Sequence, residues 1–151
     1  IAWGQVGAAQ LDRLQAAVAA EGPEVKVRIA MVHHNLHRRG PLAQLTSSLR
    51  DGDALAATLV RLGFDAVLHG HTHAPHLAHL GDDPCGVLVL GCGSSTWYRP
   101  GHGQWAHFNL LTLDPGGIRA IRSEVWDNDA RSFRPARDDL LDVARRTPLA
   151  Q

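Results

Sequence analysis

Surplus charge of either sign is missing from this sequence. Fifteen lysines and arginines stand against fifteen aspartates and glutamates, so the formal net charge is zero and the pI is near 7.3. A chain so balanced sets up no long-range field, which argues against nucleic acid or anionic lipid as its main partner. Cysteine is scarce as well, with only Cys85 and Cys92. They flank the apolar run Val87, Leu88, Val89, Leu90 and on one straight strand would point to opposite faces, so the sequence predicts buried thiols rather than a bridge. No apolar run approaches the roughly 18 residues that a membrane-spanning helix needs. A hydrophobic content of 44% with 20% charged residues rules out a disordered chain.

What is present is enough for one core, because 151 residues can bury roughly 68–70% of the unfolded surface on folding. Lys26 is the one lysine among the basic residues, and eight of the ten histidines fall between His33 and His79. The chain opens on Ile1 without a secretory leader, and is read as starting inside a longer frame or after processing. Free cysteines and no leader predict a cytoplasmic protein.

The pattern of elements begins with an amphipathic helix between Gly7 and Glu21, where Leu11, Leu14 and Val18 share a face and Gly22-Pro23 ends it. Val25, Val27, Ile29 and Met31 alternate with Lys26, Arg28 and Ala30, predicting a strand that ends in His33-His34. A short helix is expected over Leu42 to Leu49 and a second from Gly52-Asp53 through Leu55, Leu59 and Leu62, closed by Gly63. Phe64 to Leu68 reads as a short buried strand. Helix, strand, helix, strand is the signature of α/β organisation with parallel strands, and ligands in such sheets gather at the strands' C-terminal ends. From Val87 onward the reading changes to an antiparallel meander over Val87–Leu90, Ala106–Leu113 and Ile118–Val125, turned at Asp114-Pro115-Gly116-Gly117. Trp126 to Pro135 reads as polar and irregular, and Asp138 to Arg146 as one short helix. The domain division is therefore 1–126 for the folded part and 127–151 for a polar tail.

Two histidine clusters each follow an apolar strand: His33-His34, and His69-Gly70-His71-Thr72-His73. Neutral imidazole is a common ligand for borderline transition metals, so His33, His71 and His73 are the candidate metal ligands. His37, His76, His79, His102 and His107 are read as surface or core histidines. Arg38, Arg39 and Arg99 follow strand ends, where a guanidinium fork matches phosphate oxygens, although exposed arginine is ordinary. Trp97-Tyr98 could stack on a base or simply pack at a rim.

Val32-His33-His34-Asn35 and Leu68-His69-Gly70-His71-Thr72-His73 together resemble the last two metal-binding motifs of the calcineurin-like metallophosphoesterases, H-H and G-H-x-H. The preceding helix and the small-residue loop Gly91-Cys92-Gly93-Ser94-Ser95 extend the resemblance over Gln5 to Val125. The resemblance implies that His33 and His71 hold one metal, that His73 holds a second, and that His34, the candidate catalytic residue, either supports the ligands from behind or faces substrate; Arg38 and Arg99 are the candidate substrate contacts by their place after strand ends. It implies part of a four-layer α-β-β-α sandwich, with two divalent ions (Mn, Fe or Zn) in the complete site and at most one weakly held by this chain alone. It also implies a phosphorylated small-molecule or nucleotide substrate, monoester or diester.

The family's earlier motifs, D-x-H, G-D-x-x-D and G-N-H, do not occur, and Asn35 stands where Pro is usual. Two divalent cations near 4 Å apart need anionic ligands to offset their repulsion. The chain is accordingly read as the half bearing the last two motifs, inactive until an upstream half or another chain covers its sheet. The competing readings are a non-catalytic binding or assembly module on the same scaffold, and a mononuclear zinc hydrolase built on the three histidines.

Overall fold

The computed structural model describes residues 4–36, 49–81, 86–96 and 106–136. Helix α1 spans Ala8–Ala19 and α2 spans Gly52–Arg61. The strands are β1 (Ile29–Val32), β2 (Ala66–His69), β3 (His76–Leu80), β4 (Val87–Gly91), β5 (His107–Asp114), β6 (Gly117–Asp127) and β7 (Ser132–Pro135). They form a four-stranded mixed sheet in the order β1-β2-β4-β3 and a three-stranded antiparallel sheet in the order β5-β6-β7.

In the mixed sheet β1, β2 and β4 run parallel, with Ile29 opposite Ala66 and Ala66 opposite Leu88, while β3 returns antiparallel along the outer edge of β4. The side-chain period of two sorts the core. Ala30, Val32, Val67 and Val87 pack with Leu11 and Leu14 of α1 and Leu55 and Leu59 of α2. Ile29, Ala66, Leu68, Leu88 and Leu90 meet Leu111, Ile118 and Ile121 of the antiparallel sheet on the other face. A helical layer, a mixed sheet and an antiparallel sheet are thus stacked in that order. Buried α2 residues recur at Leu55, Thr58 and Leu59, the i, i+3, i+4 stripe of a core-facing helix, and Gly63 ends it at φ 66°, a conformation that a Cβ disfavours.

Asp51 joins the two helices' entry points, since its carboxylate accepts the backbone N–H groups of Val6 at 3.0 Å and Gly7 at 2.6 Å. Burial alone would raise its pKa, but those N–H donors outweigh it and hold the carboxyl below the ordinary range.

Three expectations need correction, and one strand was not expected. Val87–Leu90 does not open the meander: all five residues of β4 are buried, as suits a strand covered on both faces inside a parallel sheet. The alternating run before His33 is a strand only from Ile29, and Met31 is 81% exposed although Ile29, two residues earlier on the same face, packs against the antiparallel sheet. Histidine-bearing His76–Leu80 forms a strand to which the sequence reading assigned no element. The stretch after Trp126 is a hairpin rather than irregular chain: Asp127 accepts N–H groups from Asp129 and Ala130 and the Arg134 guanidinium at 2.7 Å, which turns β6 into β7. The expected helices at Leu42–Leu49 and Asp138–Arg146 lie largely or wholly outside the described residues. Among the described residues no helix is long and apolar enough to cross a membrane.

Candidate functional site

The parallel strands β1 and β2 end side by side, Val32 opposite His69, and the loops beyond them carry the histidines. The N–H of Gly70 donates to the carbonyl of His33 at 3.3 Å, so the two loops stay in register past the last ladder pair. The backbone then folds tightly: Thr72 N–H reaches back to Gly70 O at 2.7 Å, and His71 and His73 both take positive φ, 64° and 51°. Such values are uncommon for residues with a Cβ, and strained backbone concentrates where side chains must be aimed.

The result is a cluster of three imidazoles. His33 Nε2 lies 3.2 Å from His71 Nδ1, their ring centroids are 5.1 Å apart, and the His34 ring sits 4.5 Å from that of His71 and 5.3 Å from that of His33. His33 is exposed, while His34 and His71 are half-buried. Two nitrogens bound to one tetrahedral zinc at about 2.0–2.1 Å stand about 3.3 Å apart, so the His33–His71 pair has the bite of two ligands on one ion. Among the described residues no set of three His, Cys, Asp or Glu side chains is arranged to hold a metal. The donor set therefore fits part of a metal site, and supplies none of its anionic ligands.

Sequence reasoning grouped His33 and His71 with His73; the structure brings His33 and His71 together and adds His34. His73 is exposed, two residues further along the same loop. His34 is fixed by a contact that the sequence did not announce: a Cβ on Gly4 would come within 2.4 Å of the His34 ring, so the ring rests directly on the Gly4 backbone. A similar fit occurs at Gly91, where a Cβ would lie 2.8 Å from the ring of buried His69 and 2.9 Å from His76 Cβ. Arg38, Arg99, Trp97, Tyr98, His37 and His102 lie outside the described residues.

Behind the cluster, Cys92 is a free thiol whose sulfur lies 3.3 Å from His107 Nδ1. Gly93 N–H donates to that same nitrogen at 3.2 Å, which makes it an acceptor and places the ring proton on Nε2. Burial pushes the thiol up, with the Asn109 backbone working weakly against it, and pushes the imidazole down. Both groups are thus neutral near pH 7, which argues against an activated Cys–His nucleophile.

An open, largely apolar cavity of about 540 Å³ runs from the histidines between the two sheets. Met31, Leu68, Leu90, Phe108 and Leu111 line it, together with His33 and His69.

No family model matches the chain. Curated relatives do: a UDP-2,3-diacylglucosamine hydrolase of Xanthomonas oryzae pv. oryzae is 39% identical over 64 residues, 41% of this chain and 22% of that protein. The protein of the same name from Xanthomonas campestris pv. campestris is 45% identical over the same length and coverage, and that of Stenotrophomonas maltophilia 42% over 60 residues, 38% of this chain and 23% of the relative. The chain matches only about a fifth of the length of these relatives. A solved double mutant of Vps29 from Entamoeba histolytica is 24% identical, covers 58% of this chain and 47% of its own, and has a TM-score of 0.39.

Proposed function

We propose, from a chain whose matched segment is that of calcineurin-like metallophosphoesterases, that it forms one wall of a metal-dependent phosphoester hydrolase site. The observation that carries the reading is the 3.2 Å approach of His33 Nε2 to His71 Nδ1 at the C-terminal ends of parallel strands. His33 and His71 would share one divalent ion (Mn, Fe or Zn), and His73 would belong to a second. Divalent metals, when bound, lower the pKa of a water and offset phosphate charge. His34, wedged on Gly4, would face the phosphate and donate from its ring, with Arg38 and Arg99 as further substrate contacts.

The acidic ligands are to come from an upstream half or another chain, which would also complete a four-layer α-β-β-α sandwich over 1–126. The relatives' name suggests an acylated sugar linked to a nucleotide as the substrate class, and cysteines read as free thiols suggest a cytoplasmic setting.

Supplying the chain with the portion of the Xanthomonas oryzae relative that precedes its matched segment, in Mn²⁺, should yield hydrolysis of a phosphodiester such as bis-p-nitrophenyl phosphate. His71→Ala should lower that rate at least about tenfold, the scale expected when a metal's protein environment is damaged. No hydrolysis, or hydrolysis indifferent to His71→Ala, overturns the reading.

A second reading, a non-catalytic module on the same scaffold, is favoured by the missing third ligand among the described residues. Sub-stoichiometric metal in the complemented protein would support it. The mononuclear zinc hydrolase lacks the same third ligand and gains nothing from the geometry.

A further inference from the structure

The cavity beside the histidines is walled by the margins of both sheets. Among the described residues β1 ends the four-stranded sheet and β5 the three-stranded one, and the cavity is lined from both strands, by Met31 and Val32 of β1 and by Phe108, Asn109 and Leu111 of β5. Arg28 O accepts hydrogen bonds from Asp65 and Ala66 of the neighbouring segment, so the alternation of a strand turns the peptide groups of Ile29 and Met31 the other way, away from β2, where no described strand pairs with them. Met31 itself is 81% exposed on a strand whose neighbours Ile29 and Leu68 pack in the core. An apolar side chain, an unextended ladder and an open apolar cavity meet at one place. A small molecule could fill the cavity, but it would leave the ladder unmet; an extended polypeptide meets all three demands.

We infer that this open side is the docking surface for a complementing polypeptide, which adds an extended strand to β1 and sets alternate apolar side chains into the cavity against Leu68 and Leu111. The inference rests on the reading of the chain as part of a larger hydrolase, and the length of the relatives supplies the occupant: the matched segment is 41% of this chain but 22% of the Xanthomonas oryzae protein, which makes that protein nearly twice as long. A strand added in parallel to β1 would end beside His33, the residue that follows β1. The docked segment would thus enter the site from the side that lacks ligands.

Hydrogen exchange on the full chain, with and without the preceding portion of the Xanthomonas oryzae relative at saturating concentration, tests this. Exchange at Ile29 and Met31 should slow at least tenfold, and Met31→Glu, a change at an exposed position that leaves folding intact, should weaken binding at least tenfold. Unchanged exchange at β1 overturns the inference, as does self-association of the chain that Met31→Glu abolishes, which would assign the surface to a second copy. Slowed exchange without hydrolysis upholds the docking and refutes the catalytic reading; hydrolysis with β1 unprotected does the reverse.

Discussion

Single residues hold this molecule together where its segments would otherwise only touch. Asp51 takes two backbone N–H groups from Val6 and Gly7, anchoring the segment that carries Gly4, and with it the floor under His34. Folding lowers the pKa of that carboxyl, so below its unfolded value of about 3.9 the unfolded chain binds the proton more readily than the native one. The stability Asp51 contributes is complete above about pH 4 and is lost as the pH falls through the native value. Urea unfolding at pH 5 and at pH 3 checks this. Wild type should lose more stability between the two than Asp51→Asn does, and equal losses would show that the carboxylate has no such role.

At the scale of elements, the two helices earn their place through one stripe each, and Leu59 of α2 is fully buried in the core they share with the mixed sheet. Leu59→Ala should cost about 2–5 kcal/mol through lost burial and the cavity left behind, whereas Val60→Ala on the exposed face should stay within about 0.5 kcal/mol. Chemical denaturation of the two variants measures both. The same stripe explains why α1 and α2 were legible in the sequence: periodicity of 3.6 is a local property. Strand β2 was legible for a similar reason, as a short apolar run bounded by Gly63 and Gly70. Strand β4 was recognised but assigned to the wrong sheet, because a run of four apolar residues fits either a meander or a buried parallel strand, and only its partners decide. Strands β3 and β7 went unseen, since His76-Leu77-Ala78-His79-Leu80 and Ser132-Phe133-Arg134-Pro135 lack the branched residues that mark strands. In the site, His33 and His71 were legible because each follows an apolar run. The place of His34 was not, because it depends on Gly4, a residue thirty positions earlier with no chemistry of its own.

Over the whole molecule the two sheets differ in how far apart in sequence their partners lie. The antiparallel sheet begins at a two-residue turn, Asp114 facing Gly117, and zips outward from there. The parallel pair cannot start locally: Arg28 meets Asp65 across 37 positions and His33 meets His71 across 38. With loop closure scaling as (3/2)RT ln n, spanning 38 positions rather than about five costs about 2 kcal/mol more in chain entropy. Refolding should therefore protect β5 and β6 amides before those of Ala66–His69, an order that pulse-labelled exchange resolves; simultaneous or earlier protection of β2 would contradict it. The pairing of His33 with His71 is then among the last acquisitions of the folding chain, and an ion bound by the two imidazoles, as proposed, would act as a clock for the final step, gaining its affinity only when the slow long-range closure is complete.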